Sequence, residues 1–487
     1  MLFHTLEFAW FLLAVLLLYR ALPRRGQNLL LLGASYLFYA SWSAQFLGLI
    51  LASTLVDYCA ARRIEAARGR GSDGGNRNAR FWVLLSLTTN LGALGLFKYA
   101  GFFLTSLEEL LAGFGIESAP LRLEFVLPVG ISFYTFQTLS YTLDVYAGRI
   151  QARRDFADFA LFVAFFPQLV AGPIERASKL LPQIENARER RLEDLGRGAA
   201  LFFVGLFKKL VLADNLARLV DQEFAVGGAS GGPLTLLAVY AFAFQILCDF
   251  SGYSDMARGV ARMLGFELSQ NFRMPYLATG PRDFWKRWHV TLSQWLRDYV
   301  YIPLGGNRGG RIVTYRNLLL TMLIGGLWHG AAWTFVAWGA WHGVILCIAH
   351  LSDRSSDEAQ EPAFATRPLR IIAFFHVTCL GWILFRCESL SACWELITAI
   401  FSMDAWATAI DQALKLQLDP ETTTALAWVS LIAVALTTAD IARTRANADD
   451  AVSKLPRSLC LAVVCAIAVA LPILGVAEQS EFLYFQF

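Results

Sequence analysis

Long apolar runs separated by short polar stretches fill this chain. The first runs from Phe8 to Leu22. Others lie at about 28–41, 44–60, 81–98, 125–146, 156–172, 196–213, 233–250, 316–336, 337–351, 369–386, 423–441 and 458–476. A helix needs ~20 apolar residues to cross the hydrocarbon core, so this pattern predicts roughly 11–13 spans or re-entrant helices. No internal repeat and no soluble-looking segment interrupts it. The expected fold is an all-α polytopic membrane protein, a single integral-membrane domain over residues 1–487.

Composition agrees. The 487 residues are 56% hydrophobic and only 17% charged. Ordinary globular chains carry about 25% charge. A chain this long has volume for a core but lacks the charged surface that water demands, so lipid is most of its solvent. The 42 basic and 39 acidic residues leave a net charge of +3. That balance, with no basic stripe, argues against nucleic acid as a partner. The eight cysteines mostly sit inside apolar runs, without C-x-x-C pairs or zinc spacing. They read as small buried side chains, without disulfides or metal.

Phe8–Leu22 lacks a positive leader, so it reads as a retained helix and not a cleaved signal. Basic loops then set orientation by the positive-inside rule. Arg20, Arg24 and Arg25 form one, Arg62 to Arg80 a second, and Arg443 to Arg457 a third. With all three cytoplasmic, the segments between the first two form a hairpin and both termini lie outside. Residues 477–487 then form an extracytoplasmic tail ending Phe482-Leu483-Tyr484-Phe485-Gln486-Phe487.

The polar remainder carries the chemistry. The charge run Glu185 to Arg197 reads as a solvated amphipathic helix. In the interruption 267–315, Trp285, Trp288, Leu292, Trp295 and Tyr299 recur at helical spacing, with Lys286, Arg287, Arg297 and Asp298 opposite. This predicts an amphipathic helix with aromatics suited to a membrane interface. A surface anchor without chemistry fits the same pattern. Next comes Gly305-Gly306-Asn307-Arg308-Gly309-Gly310-Arg311. Its glycines free the backbone, and Arg308 and Arg311 are suited to phosphates. A flexible cytoplasmic turn is the plainer alternative.

His329 comes after it, within Gly325-Gly326-Leu327-Trp328-His329-Gly330. An ionisable side chain in an apolar run is costly and marks a candidate site. Histidine is also the usual general base near neutral pH. A histidine satisfied by a helix–helix hydrogen bond fits equally well. His342 is similar, with a structural role favoured. Asp249 and Asp255, with hydroxyls between them, suggest a helix break lining a wet cavity. They are placed to orient a histidine or to fix Arg273 or Arg282, or they form a purely structural network.

Together these motifs resemble the membrane-bound O-acyltransferases. Phe284-Trp285-Lys286-Arg287-Trp288-His289, the Trp295-to-Gly310 stretch and Trp328-His329-Gly330 carry the likeness. It points to the bacterial branch that O-acetylates alginate and D-alanylates teichoic acids. Pro128 to Gly148, Asp249 to Asp255, Phe385-Arg386 and the aromatic tail favour the alginate side. The resemblance implies a ring of tilted helices around a tunnel, and acyl transfer to a hydroxyl. It matches His329 to the family's tunnel-facing histidine and His289 to its second site position, with Trp328 beside them.

The likeness further implies an O-acetyltransferase of the bacterial inner membrane. The expected donor is acetyl-CoA, used as a substrate with no bound cofactor. The expected acceptor is an extracytoplasmic polysaccharide such as an alginate-like exopolysaccharide, cellulose or peptidoglycan. The expected partner is a secreted or membrane-anchored periplasmic acetyltransferase or esterase-like protein. Tyr484 is a candidate acyl relay, against the alternative that its aromatic neighbours merely dock the tail. Rival readings are an acyltransferase acting on a membrane lipid or protein, and a transporter without acyl chemistry.

Overall fold

The computed structural model describes residues 1–69, 73–116, 125–188, 191–225, 227–228, 230–352, 366–414, 423–424, 426–432, 456–475 and 482–483. Among them the regular structure is helical throughout, with no strand. Six helices are long and apolar enough to cross a membrane: Arg24–Arg68, Gly75–Gly113, Gly232–Met263, Trp333–Leu351, Arg367–Arg386 and Arg457–Leu474. The all-α polytopic expectation holds. Other predicted runs form shorter helices, such as Leu6–Ala21, Ile131–Ala147 and Phe156–Ala164.

Boundaries reflect local chemistry. Leu6–Ala21 starts after Thr5, whose hydroxyl accepts from the Phe8 N–H. The predicted break between 28–41 and 44–60 falls at Ser43, a single non-helical residue inside Arg24–Arg68. Ile131–Ala147 starts after Gly130, at φ 74°. A Cβ at Gly130 would stand 2.7 Å from the Leu169 carbonyl oxygen, so only glycine fits both the turn and the contact.

The chain divides into two compact units. One comprises Met1–Gly198 with Ala257–Ser269, the other Ala199–Met256 with Gln270–Phe487. In the first, Phe3, Phe8, Phe38 and Phe166 form an aromatic core. Asp57 is fully buried there among neutral donors. Asn90 Nδ2 donates to it at 2.9 Å and Thr142 Oγ1 at 3.3 Å, and the Ser86 hydroxyl joins them.

The same unit corrects one expectation. The run Glu185 to Arg197 is not a single solvated helix. Glu185 ends the helix Ala177–Glu185, residues 186–188 are irregular, and Leu192 starts the next helix. Arg188 Nη2 donates to Asn28 Oδ1 at 2.7 Å, and its guanidinium lies 4.5 Å from the Phe266 ring centroid. A guanidinium with a fixed acceptor and a ring face packs inward instead of projecting into water.

Candidate active site

In the second unit, the helices Gly310–His329 and Trp333–Ser352 pack through glycine. A Cβ at Gly326 would lie 2.2 Å from the Phe335 carbonyl oxygen, and one at Gly339 2.4 Å from that of Met322. Such seams let backbones touch where larger side chains would hold them apart. The first helix ends on His329, and Gly330 leaves it in an extended conformation. The histidine is therefore a terminal residue of a rigid element, and it is 4% exposed.

His289 reaches the same place by another route. The predicted helix through Trp285 to Tyr299 is not continuous. Pro281–Trp285 stops, His289 turns into the left-handed region at φ 42°, and Val290–Leu296 begins after it. Asn271 clamps this turn. Its carbonyl accepts from Val290 N at 3.0 Å, and its Oδ1 accepts from Thr291 N and Thr291 Oγ1. Trp288, Leu292 and Trp295 are buried. Most of the aromatic stripe thus packs inside the unit, with Trp285 and Tyr299 half-buried, where the spacing suggested a surface helix. Broken geometry gives these rings interior partners, such as Trp382 at 4.7 Å from Trp288.

The two imidazoles stand 6.4 Å apart by ring centroid. Trp328 lies 5.0 Å from His329 and 5.8 Å from His289, packing against both rings from one side. Trp338 and Phe385 flank His329 at 5.0 and 5.3 Å. Phe250 packs on His289 at 4.8 Å. Burial depresses the His289 pKa from 6.5 to about 3, so this imidazole is neutral at physiological pH. A neutral imidazole offers one N–H donor and one acceptor. The enclosure has low dielectric, where a hydrogen bond to developing charge is strong.

His342 lies one layer back. It stacks on Phe284 and meets Trp338 at 4.7 Å, and Trp338 in turn touches His329. Arg308 and Arg311 are both exposed, on and just after the glycine turn. Gly305, Gly306 and Gly310 there take φ of 108°, 56° and 83°. Asn317 holds this turn from the next helix, donating to the carbonyls of Gly306 at 2.9 Å and Leu304 at 3.1 Å.

Asp249 and Asp255 do not break a helix. Both lie inside the continuous helix Gly232–Met263. Asp249 meets Lys209 Nζ at 2.8 Å and Asp255 meets Lys208 Nζ at 2.6 Å. Paired charges no longer need a wet cavity, so the helix persists. Arg282 instead meets His350, and the Arg273 N–H donates to the Arg287 carbonyl while Arg287 Nη1 donates to the Arg273 carbonyl. Asp249 still adjoins the site in sequence, because Phe250 packs on His289. Tyr484 lies outside the described residues, as does most of 477–487.

Sequence reasoning missed Lys209, Asn271, Asn317 and Trp338. Lys208 and Lys209 had a usable signal, since two cations interrupt the apolar run 196–213. Asn271 and Asn317 had none, because their role depends on a turn that only the fold reveals. A separate apolar cavity of about 320 Å³ lies against Tyr240, Phe244, Tyr276, Phe375 and His376, and neither His289 nor His329 lines it.

Comparison with known proteins bears on this constellation. Residues 149–391 match the family model of the membrane-bound O-acyltransferases. A probable alginate O-acetylase of Azotobacter vinelandii is 45% identical, over 83% of this chain and 79% of that one. Its counterpart in Pseudomonas putida is 39% identical over the full length of both. A peptidoglycan O-acetyltransferase of Helicobacter pylori is 36% identical, over 76% of this chain and 73% of that one. The matched region contains both buried histidines and the aromatic walls around them. Such identity over most of its length shows that this chain is an acyltransferase belonging to the membrane-bound O-acyltransferase family.

Proposed function

We propose that the protein moves acetyl groups from a cytoplasmic thioester, acetyl-CoA, toward hydroxyls of an extracytoplasmic polysaccharide. The names of its relatives support an acetyl group and an alginate-like or peptidoglycan acceptor. The observation that carries the chemistry is the pair His289 and His329, 6.4 Å apart in an aromatic enclosure.

In this reading His329 is the general base. A hydroxyl is a poor nucleophile at its own pKa and needs an adjacent base. His329 takes the hydroxyl proton as the oxygen attacks the thioester carbonyl. The C–O bond forms, the C–S bond breaks, and the proton passes to the departing thiolate. Neutral His289 donates a hydrogen bond to the carbonyl oxygen as it gains charge. Trp328 packs against both rings and orients them, and His342 supports Trp338 from behind. Arg308 and Arg311 meet the donor's phosphates from the exposed turn.

The donor is cytoplasmic and the final acceptor extracytoplasmic, so the acetyl group must change sides. Tyr484 takes it as an ester and yields it to a periplasmic partner of the acetyltransferase or esterase type. The enzyme resides in the bacterial inner membrane with both termini outside.

His329→Ala tests the central assignment. The variant is expected to insert normally, to abolish polymer O-acetylation and to stop thioester cleavage by the purified protein. Near wild-type acetylation in that variant refutes the role of His329.

A further inference from the structure

Transfer at the two histidines does not use the buried charge cluster around Lys209. Lys209 lies in the π-helical turn Lys208–Ala213 and is fully buried. Its ammonium donates to Asp214 at 2.9 Å and to Asp249 at 2.8 Å. Two carboxylates share this ammonium in an apolar interior. A buried carboxylate is stable only when its oxygens accept hydrogen bonds.

The C-terminal segment supplies one. The backbone N–H of Leu483 donates to Asp249 Oδ2 at 3.0 Å. Both oxygens of Asp249 are thereby engaged, one by Lys209 and one by the tail. The adjacent Phe482 presents its ring to the Lys209 ammonium at 4.7 Å from the centroid. Tyr253 holds that ring edge-to-face at 4.9 Å. Phe482 and Leu483 are 2% and 5% exposed.

This chemistry is selective. A carboxylate oxygen reads a backbone N–H, and a desolvated ammonium reads an aromatic face. A Phe residue with a free N–H on the residue after it satisfies both. We infer that Lys209 and Asp249, with Asp214 as the ammonium's second carboxylate partner, form an anchoring site for the chain's own C-terminal segment. They are positioning residues that fix the residue immediately before Tyr484. Asp249 adjoins Phe250, which packs on His289, so the anchor and one wall of the histidine pair share a helix. The anchor stands on these contacts, and its purpose rests on the relay reading of Tyr484.

The test uses the full chain with a C-terminal tag, in membranes. Leu483→Pro removes the N–H that Asp249 accepts, and Leu483→Ala keeps it. Leu483→Pro is expected to speed protease release of the tag at least tenfold and to lower polymer acetylation by a similar factor. Leu483→Ala retains most of the protection and most of the transfer. Asp249→Asn is expected to resemble Leu483→Pro, and if it fails to insert, the proline variant decides. A merely structural contact would lower the thermal midpoint without changing turnover per folded molecule. Wild-type tag protection and transfer in Leu483→Pro overturn the anchor. Tyr484→Phe separates the two ideas. Full activity of Tyr484→Phe with tag release in Leu483→Pro leaves the anchor standing and removes the relay. Inactive Tyr484→Phe with a protected Leu483→Pro tail does the reverse.

Discussion

One added methyl at Gly326 is expected to disable the enzyme without expelling it from the membrane. The same methyl at the neighbouring Gly325 is expected to do little. At Gly326 a Cβ stands 2.2 Å from the Phe335 carbonyl oxygen and 3.2 Å from the Gly339 Cα. Both are backbone atoms and neither can rotate away. Ordinary contact begins near 3.4 Å. The two helices must therefore separate by about 1.2 Å in an interior that is already close-packed. At Gly325 the Cβ meets only Leu296 Cδ1, at 3.1 Å, the tip of a flexible side chain. A shift of a few tenths of an ångström relieves it. Overpacking of this kind costs about 1–3 kcal/mol, which a folded membrane domain can survive. The site is less tolerant. His329 ends the first helix, and Trp338 on the second holds its ring at 5.0 Å. A displacement of ~1 Å at reacting groups costs on the order of 100-fold in rate. The assay is thiol release from acetyl-CoA by purified protein, normalised to inserted enzyme and paired with polymer O-acetyl content. Gly326→Ala should fall by about 100-fold, and Gly325→Ala should stay within about threefold of wild type. Equal effects of the two, or Gly326→Ala at more than a third of wild-type rate, would refute the argument from the glycine seam.

The same geometry sets other expectations. His289 occupies the left-handed region, which asparagine tolerates and β-branched residues do not. His289→Asn should keep the thermal midpoint close to wild type, whereas His289→Val should lose about 1–3 kcal/mol of stability in detergent; a smaller loss in the valine variant contradicts the strain argument. Burial holds folded His289 at about 3 against 6.5 when unfolded, so the unfolded chain takes the proton first. This contribution is complete above about pH 6.5 and is lost as pH falls toward about 3. Thermal midpoints of wild type should drop more steeply between pH 7 and 4 than those of His289→Asn, and parallel slopes would contradict it. Lys209→Met strands Asp214 and Asp249 without their cation, at a cost of about 3–5 kcal/mol. Adding Asp214→Asn and Asp249→Asn should recover most of that stability, measured by detergent melting; no recovery would mean that packing and not charge holds the cluster.

What could be read from the sequence depended on whether the cause was local. Arg367–Arg386 and Arg457–Leu474 start within two residues of their apolar runs, because charged residues bracket those runs. His329 stood out for a similar reason, since one ionisable group in an apolar run is costly wherever the chain folds. The same cue misled at Asp249 and Asp255, where it suggested a broken helix. The missing information was a partner, Lys208 and Lys209, lying in another run altogether. Helical spacing misled at Trp285 to Tyr299 for the same reason. Nothing local to that stretch records that Asn271 turns the chain at His289.

The two histidines therefore differ in how they are built. His329 is fixed by its own helix, which ends on it, and by a glycine seam one turn back. His289 is fixed from outside its segment, by Asn271 below the turn and by Phe250 on the helix that also carries Asp249. Substitutions around His329 act through helix separation and scale with the clash they create. Substitutions around His289 act through a strained turn, and they should appear first as lost stability and only then as lost rate. Where a variant of Asn271 loses activity only in step with its thermal midpoint, while Gly326→Ala loses far more activity than its modest loss of stability accounts for, the two supports are distinct. If both variants show the same pattern, the pair is held as one body and this division is wrong.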